Sequence, residues 1–285
     1  MTPRPGFGIA TDSNSQITAD LVERFDVEVV PLTITIDGDD HLEGVDLDAD
    51  GFYARFDDGH HPEVATSQPS PGVIAQAYDR LLARGYDDIV SVHLSSEMSG
   101  TAESAELAAR SFAVPIDVVA TTTASFGVAA CVWALGVARE QGASAGEAVA
   151  RLADLEARTG TAFMIGVPML TEHGGRADDV DLDDADGIPI VALSAGQVDV
   201  IDRVVTIDEA IAAMASYAAS FAEREQVTVA IGTADEPSRP LTDRLERVLT
   251  DVSGIDRVVH YRIGPSVGAH TGPGTFGLFV FPTID

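Results

Sequence analysis

Residues 89–101, with the sequence IVSVHLSSEMSGT, combine an apolar strand with the turn that follows it. The first six residues are rich in β-branched side chains and predict a strand, and the small residues from Ser99 onward predict a helix to residue 111. The turn therefore brings hydroxyl groups and backbone N–H groups to the carboxyl end of a strand, where ligands bind in open α/β sheets. Plain helix capping by serine is the alternative interpretation.

Strands and helices alternate on both sides of this stretch, which predicts a parallel sheet covered by helices. Ser70-Pro71 and Gly85 fix the ends of one helix, and Ser144 with Glu147 forms a capping box at the start of another. The predicted strands occupy residues 7–10, 27–36, 89–94 and 115–120, and the predicted helices occupy residues 19–24, 71–85, 99–111, 124–140 and 144–160.

The pattern changes after Gly160, where strands become more frequent than helices. We therefore predict an α/β domain over residues 1–159 and a smaller α+β domain with a partly antiparallel sheet over residues 160–285. Residues 178–186 are acidic and predict a solvated surface loop. The strands of the second half are predicted at residues 162–167, 188–193, 198–205, 227–232, 258–263 and 276–281, and its helices at residues 207–221 and 237–252.

The charge of the chain excludes several classes of function. It has 46 acidic residues against 17 basic ones, all of them Arg, and a net charge of −29. The absence of Lys excludes a Walker lysine and a Schiff-base lysine, and the negative charge repels nucleic acid and anionic membrane surfaces. A single cysteine, Cys131, excludes an internal disulfide and a multi-cysteine metal site, and its apolar surroundings predict a small buried hydrophobe.

The same composition suggests where the protein works. Hydrophobic residues make up 45% of the chain, enough for a sizeable core. The excess of acids suits a protein in high internal salt; a genomic bias from Lys to Arg is the alternative, but it leaves the 46 acids unexplained. No signal-peptide core and no apolar run of about 18 residues is seen, so we expect a soluble, cytoplasmic protein without an integral membrane segment.

Three further polar clusters lie in turns. Thr11-Asp12-Ser13 follows the first predicted strand, and Thr66-Ser67 precedes the helix that starts at Pro71, so both clusters are candidates either for helix capping or for holding an anion. Residues 263–274 place His270 in a stretch so rich in Gly and Pro that we expect a stiff loop whose backbone approaches a ligand.

Other motifs carry less weight. Residues 173–176 (HGGR) resemble an esterase oxyanion loop, but the Gly-x-Ser-x-Gly motif that accompanies such a loop is missing. A Ser96–His270–Asp12 triad can be written, although such trios arise by chance in most chains of this size. Adjacent histidines at 60–61 favour a solvated loop over a metal site, because neighbouring side chains point in different directions.

Taken together, these segments resemble the DegV family of bacterial fatty-acid-binding proteins. The matching motifs occur in the family's order and spacing over nearly the whole chain. They are residues 11–13 (TDS), 30–32 (VPL), 66–70 (TSQPS), 94–96 (LSS), 99–101 (SGT), 174–176 (GGR) and 270–274 (HTGPG).

The resemblance implies a Rossmann-like α/β domain followed by a smaller α+β domain, with one long-chain fatty acid buried between them. It implies that Thr66 and Ser96 hold the carboxylate and that His270 lies close to it. It also implies a carrier that presents the acyl chain to a fatty acid kinase, not an enzyme, with no metal and no cofactor besides the bound fatty acid. The candidate ligand-binding residues are Thr11, Asp12, Ser13, Thr66, Ser67, Ser96, Thr101 and His270.

Two departures from the family pattern concern the partner and the pocket. Only a short acidic loop separates Arg176 from Ile188, where the family usually has a helix, and Asp208 and Glu209 stand where the family is usually basic.

Two alternatives to the carrier stay open, a serine hydrolase of acyl esters that uses Ser96 and His270, and a lipid-sensing regulator. Residues 126–135 and 276–279 are candidate walls for the acyl chain or ordinary core.

Overall fold

The computed structural model describes residues 6–59, 61–166 and 187–285. The strands of the first half are β1 (Gly8–Asp12), β2 (Glu28–Val30), β3 (Thr33–Ile36), β4 (Asp39–Leu42), β5 (Val64–Ser67), β6 (Ile89–His93) and β7 (Ile116–Ala120). Its helices are α1 (Ala19–Phe25), α2 (Ala49–Tyr53), α3 (Pro71–Ala83), α4 (Thr101–Ala109), α5 (Phe126–Glu140), α6 (Ala145–Val149) and α7 (Leu152–Ala157).

Two sheets organise this half. A parallel sheet has the strand order β2-β1-β6-β7, and a small antiparallel sheet has the order β4-β3-β5. In the parallel sheet Thr11 of β1 pairs with Val92 of β6. Because neighbouring parallel strands end at the same edge, this register places the turns after β1 and β6 side by side.

The second half is built on one mixed sheet. Its strands are β8 (Gly160–Met164), β9 (Ile188–Ser194), β10 (Gln197–Val204), β11 (Val227–Thr233), β12 (Ile255–Arg262) and β13 (Phe276–Pro282), and its helices are α8 (Ile207–Ala222), α9 (Arg239–Thr250) and α10 (Pro265–Thr271). The order is β10-β9-β8-β13-β11-β12, in which β11 and β12 are parallel and the other neighbours antiparallel. The predicted fold class is confirmed; the boundary between residues 159 and 160 stays a prediction.

The predicted strand over residues 27–36 is wrong, because the chain there forms two strands in different sheets. β2 pairs with β1 in the parallel sheet, and β3 pairs with β4 and β5 in the antiparallel one. Pro31 lies between them, and a proline cannot donate a ladder hydrogen bond. The consequence for the site is that Thr66 lies on β5, in a sheet that the sequence pattern did not predict.

The predicted stiff loop over residues 263–274 is also wrong, because its middle is helix α10. Pro265 occupies the first turn, where its fixed φ and missing N–H suit a helix. The helix ends at Gly272, which has a φ of +72°, a conformation that glycine adopts without a Cβ penalty. His270 therefore lies in the last turn of a short helix.

Aromatic side chains join the two halves in a common core. Phe126 of α5 lies with its ring centroid 4.8 Å from that of Tyr261 and 6.3 Å from that of Phe281. Trp133, two turns further along α5, meets Phe281 edge-on at 6.2 Å. Cys131 is buried in the same cluster, as predicted. The core thus continues from the parallel sheet into the mixed sheet, and the candidate site lies at this joint.

Candidate functional site

An apolar cavity lies where the two halves meet. Its volume is about 940 Å³ when the solvent-filled space at its open mouth is included. Part of its wall comes from the turns after β1, β6 and β7, at the carboxyl edge of the parallel sheet. The remainder comes from β8, β9, β10, β13 and α10. The apolar lining residues include Leu94, Met98, Phe163, Ile165, Val191, Leu193, Val198, Ile263, Val267 and Phe279.

A polar cleft adjoins this apolar cavity. It is lined by Leu32, Thr66, Ser67, Gln68, Leu94, Met98, Ser99 and Gly100. Leu94 and Met98 line both spaces, so the apolar cavity and the polar cleft meet at these two side chains. A ligand with an apolar tail and a polar head would match this pair of spaces.

Thr66 and His270 lie together at this junction. Oγ1 of Thr66, near the end of β5, lies 3.3 Å from Nε2 of His270, in the last turn of α10. The Thr66 side chain lines the polar cleft and the His270 side chain lines the apolar cavity. The structure therefore brings together two predicted site residues that come from different halves of the chain.

Close packing against α2 fixes the position of α10. A Cβ on residue 268 would lie 2.6 Å from the Tyr53 hydroxyl oxygen and 2.8 Å from the Phe52 ring, so only glycine allows this approach. Both aromatic side chains are buried. His270 is therefore held by a helix that is packed into the first half of the chain.

The two serines of the Ser95–Ser96 turn have different surroundings. Ser95 is buried, and its N–H donates to the carbonyl of Thr123 at 2.8 Å. Ser96 is exposed, and it is not among the described residues that line the apolar cavity or the polar cleft. Thr101 is buried at the start of α4, with its hydroxyl 2.8 Å from that of Ser99. The roles of Ser96 and Thr101 as ligand-binding residues stay predictions.

Asp12 belongs to a buried polar chain inside the parallel sheet. Its Oδ2 lies 2.8 Å from Nδ1 of His93, and Nε2 of His93 lies 2.8 Å from the Ser91 hydroxyl. The Tyr78 hydroxyl donates to Ser91 at 2.9 Å. Asp12, His93 and Ser91 have no exposed surface.

This chain of buried hydrogen bonds has two consequences for the sequence predictions. Asp12 is engaged with His93, so the structure does not bring Ser96, His270 and Asp12 together as a triad. The other carboxylate oxygen of Asp12 accepts from the N–H of Asn14 at 3.1 Å, which is the capping role expected of it. Sequence reasoning missed His93, although two polar residues spaced by two in a buried strand are the signal that could have found it.

Ser13 and Thr11 lie on opposite sides of Asp12 along the chain and differ in their surroundings. The Ser13 hydroxyl donates to Oε2 of Glu43 at 2.5 Å and accepts from the N–H of Leu32 at 3.0 Å. Burial raises the pKa of the Glu43 carboxyl. The Thr11 hydroxyl is buried and has no hydrogen-bond partner among the described residues. Neither residue lines the apolar cavity, and Ser67 is exposed in the polar cleft.

Ser125 is a cavity-lining residue that the sequence did not single out. It precedes α5 and has a φ of +53°, which is strained for a residue with a Cβ. Its N–H donates to Oδ1 of Asn14 at 3.0 Å, and Asn14 also lines the apolar cavity. The predicted wall at residues 276–279 contributes Phe279, whereas Phe126 lies in the common core.

Several sequence motifs lie outside the described residues: His60, the HGGR segment at 173–176 and the acidic segment at 178–186. Within the described ranges, no group of three or more His, Cys, Asp or Glu side chains could hold a metal ion. In the same ranges, no helix has the length and apolar character needed to cross a membrane.

Comparison with known proteins gives one consistent family. The model of the DegV family ("Uncharacterised protein, DegV family") matches residues 6–283. A curated DegV domain-containing protein of Streptomyces coelicolor is 33% identical over 278 residues, which cover 95% of this chain and 97% of that protein.

Solved structures show the same fold. A DegV family protein of Thermus thermophilus, described for its fatty acid binding, has a TM-score of 0.87 and 26% identity, and the match covers 98% of this chain and 100% of that one. A stearic-acid-binding protein of Eubacterium ventriosum has a TM-score of 0.86 and 23% identity, with coverage of 97% and 98%.

Proposed function

Because this chain belongs to the DegV family, we propose that it binds one long-chain fatty acid. The tail occupies the apolar cavity, and the carboxylate lies at its junction with the polar cleft. The observation that carries the proposal is the 3.3 Å approach of Thr66 Oγ1 and His270 Nε2 at this junction. The fatty acid binding described for the Thermus thermophilus relative supports the choice of ligand.

The tail and the head group contribute differently in this proposal. Burial of a CH₂ group is worth about 0.8 kcal/mol, so a sixteen-carbon tail offers on the order of 10 kcal/mol before the costs of binding. The head group adds orientation through hydrogen bonds to a charged acceptor. We assign these donors to Thr66 and His270 at the junction and to Ser96 on the exposed turn beside Met98.

The first test is to identify the ligand directly. Protein purified under native conditions is denatured and its organic extract is analysed by mass spectrometry, and delipidated protein is then titrated with hexadecanoate by calorimetry. We expect a co-purified fatty acid and stoichiometric binding. An empty extract together with no heat of binding would refute the proposal.

We further propose that the protein is a carrier and has no hydrolase activity of its own. The hydrogen bonds of Asp12 go to Asn14 and His93, so this carboxylate is not aligned with His270. A serine-directed phosphonate probe is expected to leave Ser96 unlabelled, and acyl esters are expected to be stable in the presence of the protein. Labelling of Ser96 with ester turnover would favour the serine hydrolase instead.

The carrier is proposed to present its acyl chain to a partner such as a fatty acid kinase. Asp208 and Glu209 lie in the first turn of α8, where carboxylates are favoured by the helix dipole. Glu209 accepts from the N–H of Thr206 at 3.1 Å in a capping box, and Asp208 pairs with Arg244. Although both acids have these local roles, their side chains are exposed at the surface, and we propose on that ground a partner with a basic surface.

The partner is tested by reconstitution. The loaded protein is incubated with ATP and a candidate fatty acid kinase, and acyl phosphate is measured. Formation of acyl phosphate supports a kinase partner. Association that depends on the fatty acid but yields no acyl phosphate would favour the lipid-sensing regulator.

A further inference from the structure

We infer that Glu43 is a positioning residue for His270: it caps the helix that carries His270 and so aligns the imidazole with Thr66. This inference rests on the proposed function, because the imidazole matters there as a contact of the carboxylate. Glu43 follows β4 in the first half of the chain, whereas α10 belongs to the second half.

The contacts of Glu43 reach both halves. Its Oε1 accepts from the N–H of Ser266 at 2.9 Å, in the first turn of α10, and from Nε2 of Gln16 at 3.2 Å. Its Oε2 accepts from the Ser13 hydroxyl at 2.5 Å. Oε1 of Gln16 in turn accepts from the N–H of Gly264 at 2.5 Å. Two successive N–H donors at the start of α10 are thus satisfied by side chains of the first half.

Helix α10 depends on this external cap. Its N-cap residue is Gly264, which has no side chain that could accept a hydrogen bond. A Cβ on residue 264 would lie 2.7 Å from Oε1 of Glu43, so the capping carboxylate fits against the backbone only because this residue is glycine. With seven residues, α10 makes few hydrogen bonds of its own, and loss of the cap would alter its direction.

The burial of Glu43 also points to a specific role. The side chain is 6% exposed, and its hydrogen-bond donors Ser13, Gln16 and Ser266 are all neutral. Burying a carboxylate without a cation is costly, so a position that only needed to be filled would be better served by an apolar residue. What this side chain supplies here is a fixed oxygen acceptor for the N–H of Ser266, which an apolar residue would lack.

The test separates alignment of the head-group site from general stability. Glu43→Ala is compared with Glu28→Ala, a matched control, because Glu28 is also 6% exposed but lies on β2 among Arg80 and Arg84. Each variant is titrated with hexadecanoate and with its methyl ester, which has the tail without the charge. We expect Glu43→Ala to bind hexadecanoate about tenfold more weakly and the ester as wild type does, and Glu28→Ala to bind both as wild type does.

Three further variants complete the design. Glu43→Gln keeps an oxygen acceptor for Ser266 and should restore binding. The Glu43→Ala change made in a His270→Ala background should cause no further loss, because its effect passes through the imidazole. Equal loss for acid and ester, or full additivity with His270→Ala, would overturn the inference. If Glu43→Ala does not fold, Gln16→Ala removes the Gly264 acceptor and should weaken acid binding selectively by about threefold.

A measurement without ligand distinguishes this inference from the proposed function. The ¹H–¹⁵N resonances of the His270 ring should shift in Glu43→Ala and stay in place in Glu28→Ala. If wild-type protein fails to bind hexadecanoate, the proposed function falls, and the resonances alone then decide whether Glu43 positions His270. Unchanged resonances in Glu43→Ala would overturn the positioning role even where binding is observed.

Discussion

The side chains of Thr66 and His270 are 204 positions apart in the chain, yet their Oγ1 and Nε2 atoms lie 3.3 Å from each other. One residue belongs to a small antiparallel sheet of the first half and the other to a helix of the second. The contact therefore requires that both halves are folded and docked. In the proposed function a carboxylate is held at this meeting point.

Replacement of Thr66 by valine tests the head-group assignment. Valine keeps the shape of threonine and removes its hydroxyl, so we expect fatty acid binding to weaken by about 1–3 kcal/mol through a lost bond to a charged acceptor. Ser96→Ala is expected to have an effect of the same size. Calorimetric titration with hexadecanoate measures both changes, and the methyl ester serves as control. Wild-type affinity in both variants would remove the carboxylate from this position.

A larger side chain in the wall should select shorter fatty acids. Val191 lines the apolar cavity on β9 and lies opposite Phe163, which lines it too, so a larger ring at this position would occupy space proposed for the tail. We expect Val191→Phe to lose affinity for hexadecanoate and to retain affinity for decanoate, because each excluded CH₂ forfeits about 0.8 kcal/mol. Competition between the two acids measures this shift. Ile201→Phe on the exposed surface of β10 should leave the ratio unchanged.

Gly268→Ala should displace α10. The added Cβ would meet the Tyr53 hydroxyl at 2.6 Å, so we expect the free energy of unfolding to fall by about 1–3 kcal/mol and fatty acid binding to weaken. Urea unfolding and titration test these effects. Tyr53→Phe in the same background should recover part of the loss. Gly146→Ala is the matched control, since a Cβ there meets no atom within 4 Å and helix propensity favours alanine.

The Glu43 carboxyl should give the stability of the protein a distinct dependence on pH. Burial raises its pKa, so the folded state holds this proton more tightly than the unfolded state does. The contribution to stability is complete below the ordinary pKa of a glutamate and is lost as the pH rises through the raised value. Glu43→Gln cannot ionise and escapes that loss. Its free energy of unfolding should therefore rise relative to wild type as the pH increases from the ordinary pKa of a glutamate through the raised one; a difference in urea unfolding that stays constant over this range would contradict this.

The net charge of −29 predicts stabilisation by salt. Repulsion among exposed carboxylates extends over about 30 Å at ~0.01 M salt and over about 3 Å at ~1 M, so added KCl should raise the melting temperature. Thermal unfolding in a KCl series measures the effect, with sucrose at matched osmolality as the control. A melting temperature independent of KCl would argue against adaptation to high salt.

The sequence was most informative where one short segment determines its own structure. The capping box at Ser144 and Glu147 and the strand at Ile89–His93 are present as predicted, and the family resemblance is confirmed by the match over residues 6–283. The cap and the strand depend on residues that are neighbours in the sequence, and the family resemblance depends on short motifs that are complete in this chain. Pattern and propensity are sufficient in such cases.

The features that sequence analysis missed depend on contacts between distant segments. Pro31 divides one apolar run into strands of two sheets, and only the pairing partners decide which sheet each strand joins. Likewise, the glycine-rich segment around His270 contains a helix whose first N–H groups donate to Gln16 and Glu43 of the other half of the chain. Neither partner is visible from the local pattern. The junction of Thr66 with His270 could be anticipated only through the family motifs.

The aromatic stack of Phe126, Tyr261 and Phe281 has a consequence for how the molecule unfolds. Because one core cluster draws its side chains from both halves, a cut at the predicted boundary would expose these rings on both fragments. We therefore expect the intact chain to melt in a single cooperative transition. A ligand bound at the joint would raise the temperature of that one transition, so a simple thermal shift would report occupancy for the whole molecule.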